Sequence, residues 1–118
     1  MHEQPPQPYD AAKAWAGILR AFLINIQRVR GSLDTVKNYL NEDQIAQIEV
    51  KLAKADAIIQ EYQDAPMNIE AVRVKKALFN AAGASVPLYD LDLTLRNISD
   101  YGKTKVPKLD QLLASLAS

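Results

Sequence analysis

The side chains that perform most enzyme chemistry are scarce in this chain of 118 residues, which has no cysteine and a single histidine. The absence of cysteine excludes disulfides, thiolate zinc sites and cysteine nucleophiles. The one histidine, His2, lies in a proline-rich segment, where it is poorly placed to act as the base of a catalytic triad. The Glu-x-x-His pairs that form di-metal centres in helical bundles are also absent from the sequence. We therefore expect no metal site and no cofactor.

Two pairs of carboxylates could act as acid and base in the way that glycosidases use such pairs: Asp90 with Asp92, and Glu42 with Asp43. Both pairs lie near predicted helix starts, where the helix dipole favours acidic side chains without any catalytic role. The four glycines are scattered singly, so the sequence has no glycine-rich phosphate loop. These observations predict that the protein is not an enzyme.

The overall charge also excludes classes of partner. Fourteen Lys and Arg residues balance fourteen Asp and Glu residues, which gives a formal net charge of zero at pH 7. A neutral chain lacks the electrostatic attraction that draws proteins to nucleic acids or anionic membranes. The basic cluster of Arg73, Lys75 and Lys76 has no aromatic residue interleaved with it, so we interpret it as a solvated helix face. We expect no nucleic-acid partner.

The most hydrophobic stretch, from Ala14 to Ile26, is too short to be a transmembrane segment. It has thirteen residues, with Arg20 and Asn25 among them. A helix that crosses a bilayer needs about 20 predominantly apolar residues. We therefore predict a buried helix of a soluble protein and no transmembrane segment. Association of this helix with a membrane surface is the less favoured alternative.

The first nine residues differ in composition from the rest of the chain, because they include Pro5, Pro6 and Pro8. Proline removes backbone donors and favours extended conformations. We predict a flexible leader at residues 1–9 and one helical-bundle domain at residues 10–118.

Helical periodicity dominates from Asp10, which we predict as the N-cap of the first helix. Apolar residues in this helix recur at alternating steps of four and three, the heptad spacing of coiled coils. They are Trp15, Leu19, Phe22, Ile26, Val29, Leu33, Val36 and Leu40. A second helix is predicted from Glu42 to just before Pro66, with Asn41 and Gln44 forming a capping box. Its seam contains Ile45, Ile48, Leu52, Ala55, Ile59 and Tyr62.

Three further helices are predicted. Residues 68–84 carry two weak apolar stripes, which suggests a helix that lies between neighbours; the stripes are Ile69 with Val72, and Val74 with Leu78 and Ala81. Residues 91–95 alternate like a strand, but no second strand is available to pair with them, so we prefer a helix that ends at Gly102. Pro107 opens a short terminal helix. The fold class is therefore all-α: an antiparallel up-down bundle of four main helices plus a short C-terminal helix, with coiled-coil-like packing.

The zero net charge hides an alternation along the chain. Residues 11–40 carry a net charge of +4 and residues 41–65 carry −4. One interpretation is electrostatic matching between adjacent antiparallel helices, as at the flanking positions of coiled coils. The alternative is a basic stripe of the first helix that binds an acidic partner, formed by Arg20, Arg28, Arg30 and Lys37.

The first helix has more apolar surface than its own seam requires, which suggests an interface with a protein partner or with a second copy of the chain. The candidate interface residues are Trp15, Ile18, Phe22, Leu23, Ile24, Arg20, Arg28 and Arg30. The leading hypothesis is a non-catalytic protein-interaction module, such as an adaptor, inhibitor or assembly factor. Two alternatives stay open: an envelope or membrane-peripheral protein tethered by its leader, and a carrier of a small apolar ligand in the bundle core.

Overall fold

The computed structural model describes residues 8–84 and 88–117, and within these ranges the chain is almost entirely helical, with no strand. The five α-helices are α1 (Pro8–Val36), α2 (Glu42–Glu61), α3 (Ile69–Phe79), α4 (Leu88–Tyr101) and α5 (Val106–Ala117). Short 3-10 turns follow α1 at Lys37–Tyr39 and precede α5 at Lys103–Lys105, and a π-helical turn follows α3 at Asn80–Ala84. The predicted all-α bundle is confirmed, as is the choice of a helix over a strand at residues 91–95.

The start of α1 corrects one prediction. The helix begins at Pro8, so Asp10 lies in its first turn and is not the N-cap. Proline at the start of a helix is favourable because its missing N–H would have had no partner there. Two residues of the predicted leader, Pro8 and Tyr9, therefore belong to α1. The rest of the leader, residues 1–7, lies outside the described residues.

Other helix ends follow local rules that the sequence displays. The Asn41 side chain accepts from the Gln44 amide and the Gln44 side chain accepts from the Asn41 amide, which is the predicted capping box at the start of α2. Asn68 caps α3 in the same manner by accepting from the amide of Ala71. At the end of α4, Gly102 has a φ of 82°, a backbone conformation that favours glycine and stops the helix.

Contacts between helices establish the direction of each one. Trp15, near the start of α1, donates to the backbone carbonyl of Tyr62, which follows the end of α2, so α1 and α2 are antiparallel. Along α1, contacts with the later part of the chain advance in chain order. Phe79 packs on Trp15 and Phe22 in the first half of α1, and Asp92 contacts Ser32 in the second half. Helices α3 and α4 therefore run parallel to α1.

Helix α5 returns alongside α2. Gln44 contacts Asp110, and Lys51 contacts the carbonyl of Leu116 further along both helices. The bundle is therefore up-down, but α3 and α4 share its third leg. Helix lengths explain this arrangement: the 29 residues of α1 extend about 44 Å, whereas the 11 of α3 and 14 of α4 extend only about 16 and 21 Å.

The core follows the predicted seams closely. Six of the eight residues of the first predicted seam are buried in α1. The other two, Leu19 of α1 and Leu40 after the 3-10 turn, pack against the core while partly exposed. In α2 the seam is also buried at its centre, and Ile58, which was not predicted, is buried near the end of the helix. The remaining buried apolar residues of the bundle are Ala11 of α1 and eight residues of the later helices: Val72, Phe79, Leu88, Leu91, Leu95, Ile98, Leu109 and Leu113.

The prediction for the second stripe of α3 is wrong. Val74 and Leu78 do not lie between neighbouring helices; they are 63% and 56% exposed. The buried side of α3 is formed by Val72 and by Phe79, which is only 2% exposed and belonged to neither predicted stripe. These two residues are seven positions apart, which places them on the same helix face.

Candidate functional site

The interface predicted on α1 is divided by the structure between core and surface. Trp15 and Phe22 are buried, and Ile18 is half-buried against the core. A partner cannot reach the rings of Trp15 and Phe22 while the bundle is folded. Leu23 and Ile24 are exposed, so they are the apolar members of this predicted interface that a partner could contact. Their role in binding stays a prediction.

The three arginines of the predicted interface are exposed, but they do not form one stripe. Arg30 makes an ion pair with Asp56 of α2. Arg28 instead lines a groove between α1 and α4. The Arg30–Asp56 pair is an instance of charge matching between adjacent helices. Because both partners are about half exposed, this pair contributes little to stability and more to the pairing of the helices.

Phe79 is the centre of an aromatic cluster that closes the first half of the bundle. Its ring centroid lies 5.5 Å from that of Trp15, 5.3 Å from that of Phe22 and 5.6 Å from that of Tyr62, all in edge-to-face geometry. The Nζ of Lys75 lies 5.3 Å from the centroid of the Trp15 ring. The one tryptophan therefore packs in a dense cluster, where it reports on the docking of α3.

The two carboxylate pairs considered for catalysis do not form compact pairs. Asp92 is buried, at 4% exposure, whereas Asp90 is exposed. Glu42 and Asp43 are both exposed at the start of α2, and the Asp43 carboxylate accepts from Gln47 one turn later. Each pair thus lacks the shared, shielded setting in which two carboxylates acquire separate acid and base roles.

A first surface feature, which we term the α3 groove, lies between the end of α2 and α3 and has a volume of about 530 Å³. It is mostly apolar and is lined by Glu61, Tyr62, Pro66, Ala71, Val74, Lys75 and Leu78. Lys75 also donates to the carbonyl of Asp64, which holds the α2–α3 connection against α3. Sequence reasoning identified the stripe of Val74 and Leu78 but placed it in the interior.

A second feature, which we term the α1–α4 groove, is polar and has a volume of about 380 Å³. Its lining residues are Arg28, Gly31, Ser32, Thr35, Asp92, Arg96, Ser99 and Asp100. The Ser32 hydroxyl of α1 donates to Oδ1 of Asp92 of α4 at 2.6 Å, which joins the two sides of the groove. The Arg96 guanidinium, one turn further along α4, lies 3.3 Å from Oδ2 of the same carboxylate. Sequence reasoning did not bring the two sides of this groove together.

Comparison with known proteins identifies no relative: no protein-family model, curated protein or solved structure matches the chain. Across residues 8–84 and 88–117, no helix combines the length and hydropathy needed to cross a membrane. In the same ranges, no three His, Asp or Glu side chains are grouped as metal ligands. The two grooves are therefore the candidate binding surfaces of the described residues.

Proposed function

We propose that the protein is a non-catalytic interaction module that binds an amphipathic helix of a protein partner in the α3 groove. The observation that carries this proposal is the exposure of Val74 and Leu78, one helical turn apart, on a face of α3 that the bundle does not cover. Single exposed apolar residues are normal on protein surfaces. Adjacent ones that line a groove are typical of binding surfaces.

The form of the α3 groove favours a helix as its occupant. An amphipathic helix presents apolar residues at intervals of three and four, and it typically binds in an apolar groove between helices. Val74 and Leu78 supply the apolar wall, and the small side chain of Ala71, one turn before Val74, permits close approach. Glu61 and Lys75 provide opposite charges in the same groove, which would set the direction of a bound helix.

The first experiment identifies the partner. We would replace Val74 with the photo-crosslinker p-benzoylphenylalanine in the native host and map the cross-linked peptides by mass spectrometry. The control is the same replacement at Val50 of α2, which is 64% exposed and lies outside the α3 groove. We expect cross-links at position 74 to one peptide with helical apolar periodicity, and none to that peptide from position 50. Cross-links only to this chain would identify a homodimer and contradict a separate partner.

The second experiment tests the groove with that peptide in purified form. Val74→Asp introduces a charge at the groove wall while leaving helix propensity almost unchanged, because Val and Asp have similar propensities. We expect the dissociation constant to rise more than about tenfold, equivalent to about 1.4 kcal/mol. Val50→Asp should leave it unchanged, and circular dichroism should show equal helix content in both variants. Unaltered binding by Val74→Asp would refute the α3 groove as the binding site.

The exposed part of α1 supports a second contact for the same function. Leu23 and Ile24 remain accessible there, with Arg20 beside them on the exposed surface. Ile24→Asp should weaken partner binding if this surface contributes. Phe22→Asp is unsuitable for this test, because Phe22 is buried and a charge there would unfold the bundle.

A further inference from the structure

The α1–α4 groove gathers residues that weaken the helices carrying them. Gly31 lies in the interior of α1, where glycine costs about 1 kcal/mol relative to alanine, and Ser32 and Thr35 are also poor helix formers. Close packing does not explain the glycine, because a Cβ atom added at Gly31 would meet nothing within 4 Å. Gly31 is therefore not needed for close packing between helices, and its missing side chain leaves the groove open.

On the α4 side of the groove, Asp92 and Asp100 also occupy positions where another residue would stabilise the bundle as well or better. Among the described residues the buried polar side chains are Gln44 and Asp92, and the capping box accounts for Gln44. A buried carboxylate such as Asp92 is weak evidence for stability, because an apolar residue often serves as well in the same place. Asp100 lies in the last turn of α4, where the helix dipole disfavours an acid. Such departures are expected at functional sites, and here they share one groove.

Among the described residues, the charged groups at the centre of the groove are paired, whereas those at its two ends are not. Arg96 and Asp92 neutralise each other at the centre. Within the described residues, the side chains of Arg28 and Asp100 have no hydrogen-bond or ion-pair partner. Because Ser32 contacts Asp92, these two residues mark the same level on parallel helices. Arg28 precedes that level by four residues, about 6 Å, and Asp100 follows it by eight, about 12 Å.

We infer that the α1–α4 groove binds a small elongated zwitterion of peptide-like length, with its carboxylate against Arg28 and its ammonium group against Asp100. A guanidinium pairs with a carboxylate through two parallel hydrogen bonds, and a carboxylate pairs with an ammonium group through charge-assisted ones. The groove volume of about 380 Å³ lies at the lower end of the range for small-molecule sites, which suits a ligand of a few residues. This inference does not depend on the α3 groove.

Pentaglycine is the probe for this site, because it carries opposite charges at its two ends and no side chains. Its extended length of about 17 Å matches the roughly 18 Å between the levels of Arg28 and Asp100. Titration into the isotopically labelled full chain, followed by amide chemical shifts, should perturb residues of α1 and α4 around the groove. Arg28→Gln and Asp100→Asn should each weaken binding by about tenfold, since each removes one charged contact. Arg73→Gln, which changes an exposed arginine of α3, is the matched control and should leave the affinity unchanged.

Filling the groove provides an independent variant. Gly31→Leu extends a side chain from a Cβ position with open space around it and also replaces a poor helix former, so the variant should fold and lose pentaglycine binding. Val74→Asp should bind pentaglycine like the parent chain, which separates this site from the proposed protein-binding groove.

Ligand controls test the requirement for both charges. Succinate carries only anionic groups, putrescine carries only cationic groups, and acetylated pentaglycine amide carries neither. All three should bind at least about tenfold more weakly than pentaglycine. The inference is overturned if pentaglycine causes no shifts at millimolar concentration, if any of these probes binds equally well, or if Gly31→Leu still binds.

Discussion

Replacement of Phe79 by alanine is the most direct test of how the bundle is held together. Phe79 is almost completely buried and is the one residue of α3 that contacts three other aromatic rings. Phe79→Ala would leave a cavity between α3, the first half of α1 and the end of α2. The neighbouring substitution Leu78→Ala removes an exposed side chain from the same helix and is the matched control.

The expected loss follows from burial and ring geometry. Replacing a buried phenylalanine by alanine typically costs about 3–5 kcal/mol, through lost transfer free energy and the cavity left behind. Edge-to-face ring pairs add about 0.5–1.5 kcal/mol each beyond burial, which places Phe79→Ala in the upper half of that range, at about 4–5 kcal/mol. For a domain of this length, such a loss corresponds to a fall in Tm of about 15 °C. Leu78→Ala should change stability by less than about 0.5 kcal/mol.

Urea denaturation is the appropriate assay, with unfolding monitored by far-ultraviolet circular dichroism and by fluorescence. Trp15 is the one tryptophan in the chain and packs directly on Phe79, so its emission reports on α3 docking while circular dichroism reports on total helix. We expect Phe79→Ala to shift both transitions to lower urea. A loss below about 1 kcal/mol, or an equal loss from Leu78→Ala, would refute the placement of Phe79 at the centre of the cluster.

The remaining stability predictions concern backbone conformation and capping, and thermal melts can check all of them. Gly31→Ala should stabilise the protein by up to about 1 kcal/mol, because it improves helix propensity where space is open. The same change at Gly102 should destabilise by about 1 kcal/mol, because its φ of 82° disfavours any side chain; equal signs for the two glycines would contradict this reasoning. Asn41→Ala should cost about 1 kcal/mol by removing the cap of α2. Gln44→Ala should cost more, since Gln44 also donates to Asp110 at 2.7 Å, and a neutral result would show that the capping box is dispensable.

Much of the fold is readable from local patterns in the sequence. The heptad spacing in the first helix identified its buried side, because side chains three and four apart lie on the same helix face. The capping box at Asn41 and the stop at Gly102 were predictable because each depends on residues adjacent in the chain. The α3 segment was harder, because its many alanines dilute the periodic signal and its second stripe resembles a buried one.

The candidate site was less predictable than the fold. The interface expected on α1 included Trp15 and Phe22, but both rings pack against Phe79 inside the bundle. The α3 groove exists only because one of the two apolar stripes of α3 faces solvent and not the core. Periodicity gives the two stripes similar weight, and only the packing partner distinguishes them. The α1–α4 groove combines residues about sixty positions apart in the chain, such as Ser32 and Asp92.

The sequence by itself therefore determined the helices, several of their ends and most of the buried side chains, because these depend on propensity, capping and a period of 3.6 residues. Only the tertiary structure decided that α3 and α4 share one leg, that Phe79 closes the aromatic cluster and that Val74 and Leu78 face solvent. A helix pattern specifies which residues lie on a common face but not which helix covers that face. That choice depends on helix lengths and on contacts between residues far apart in the chain.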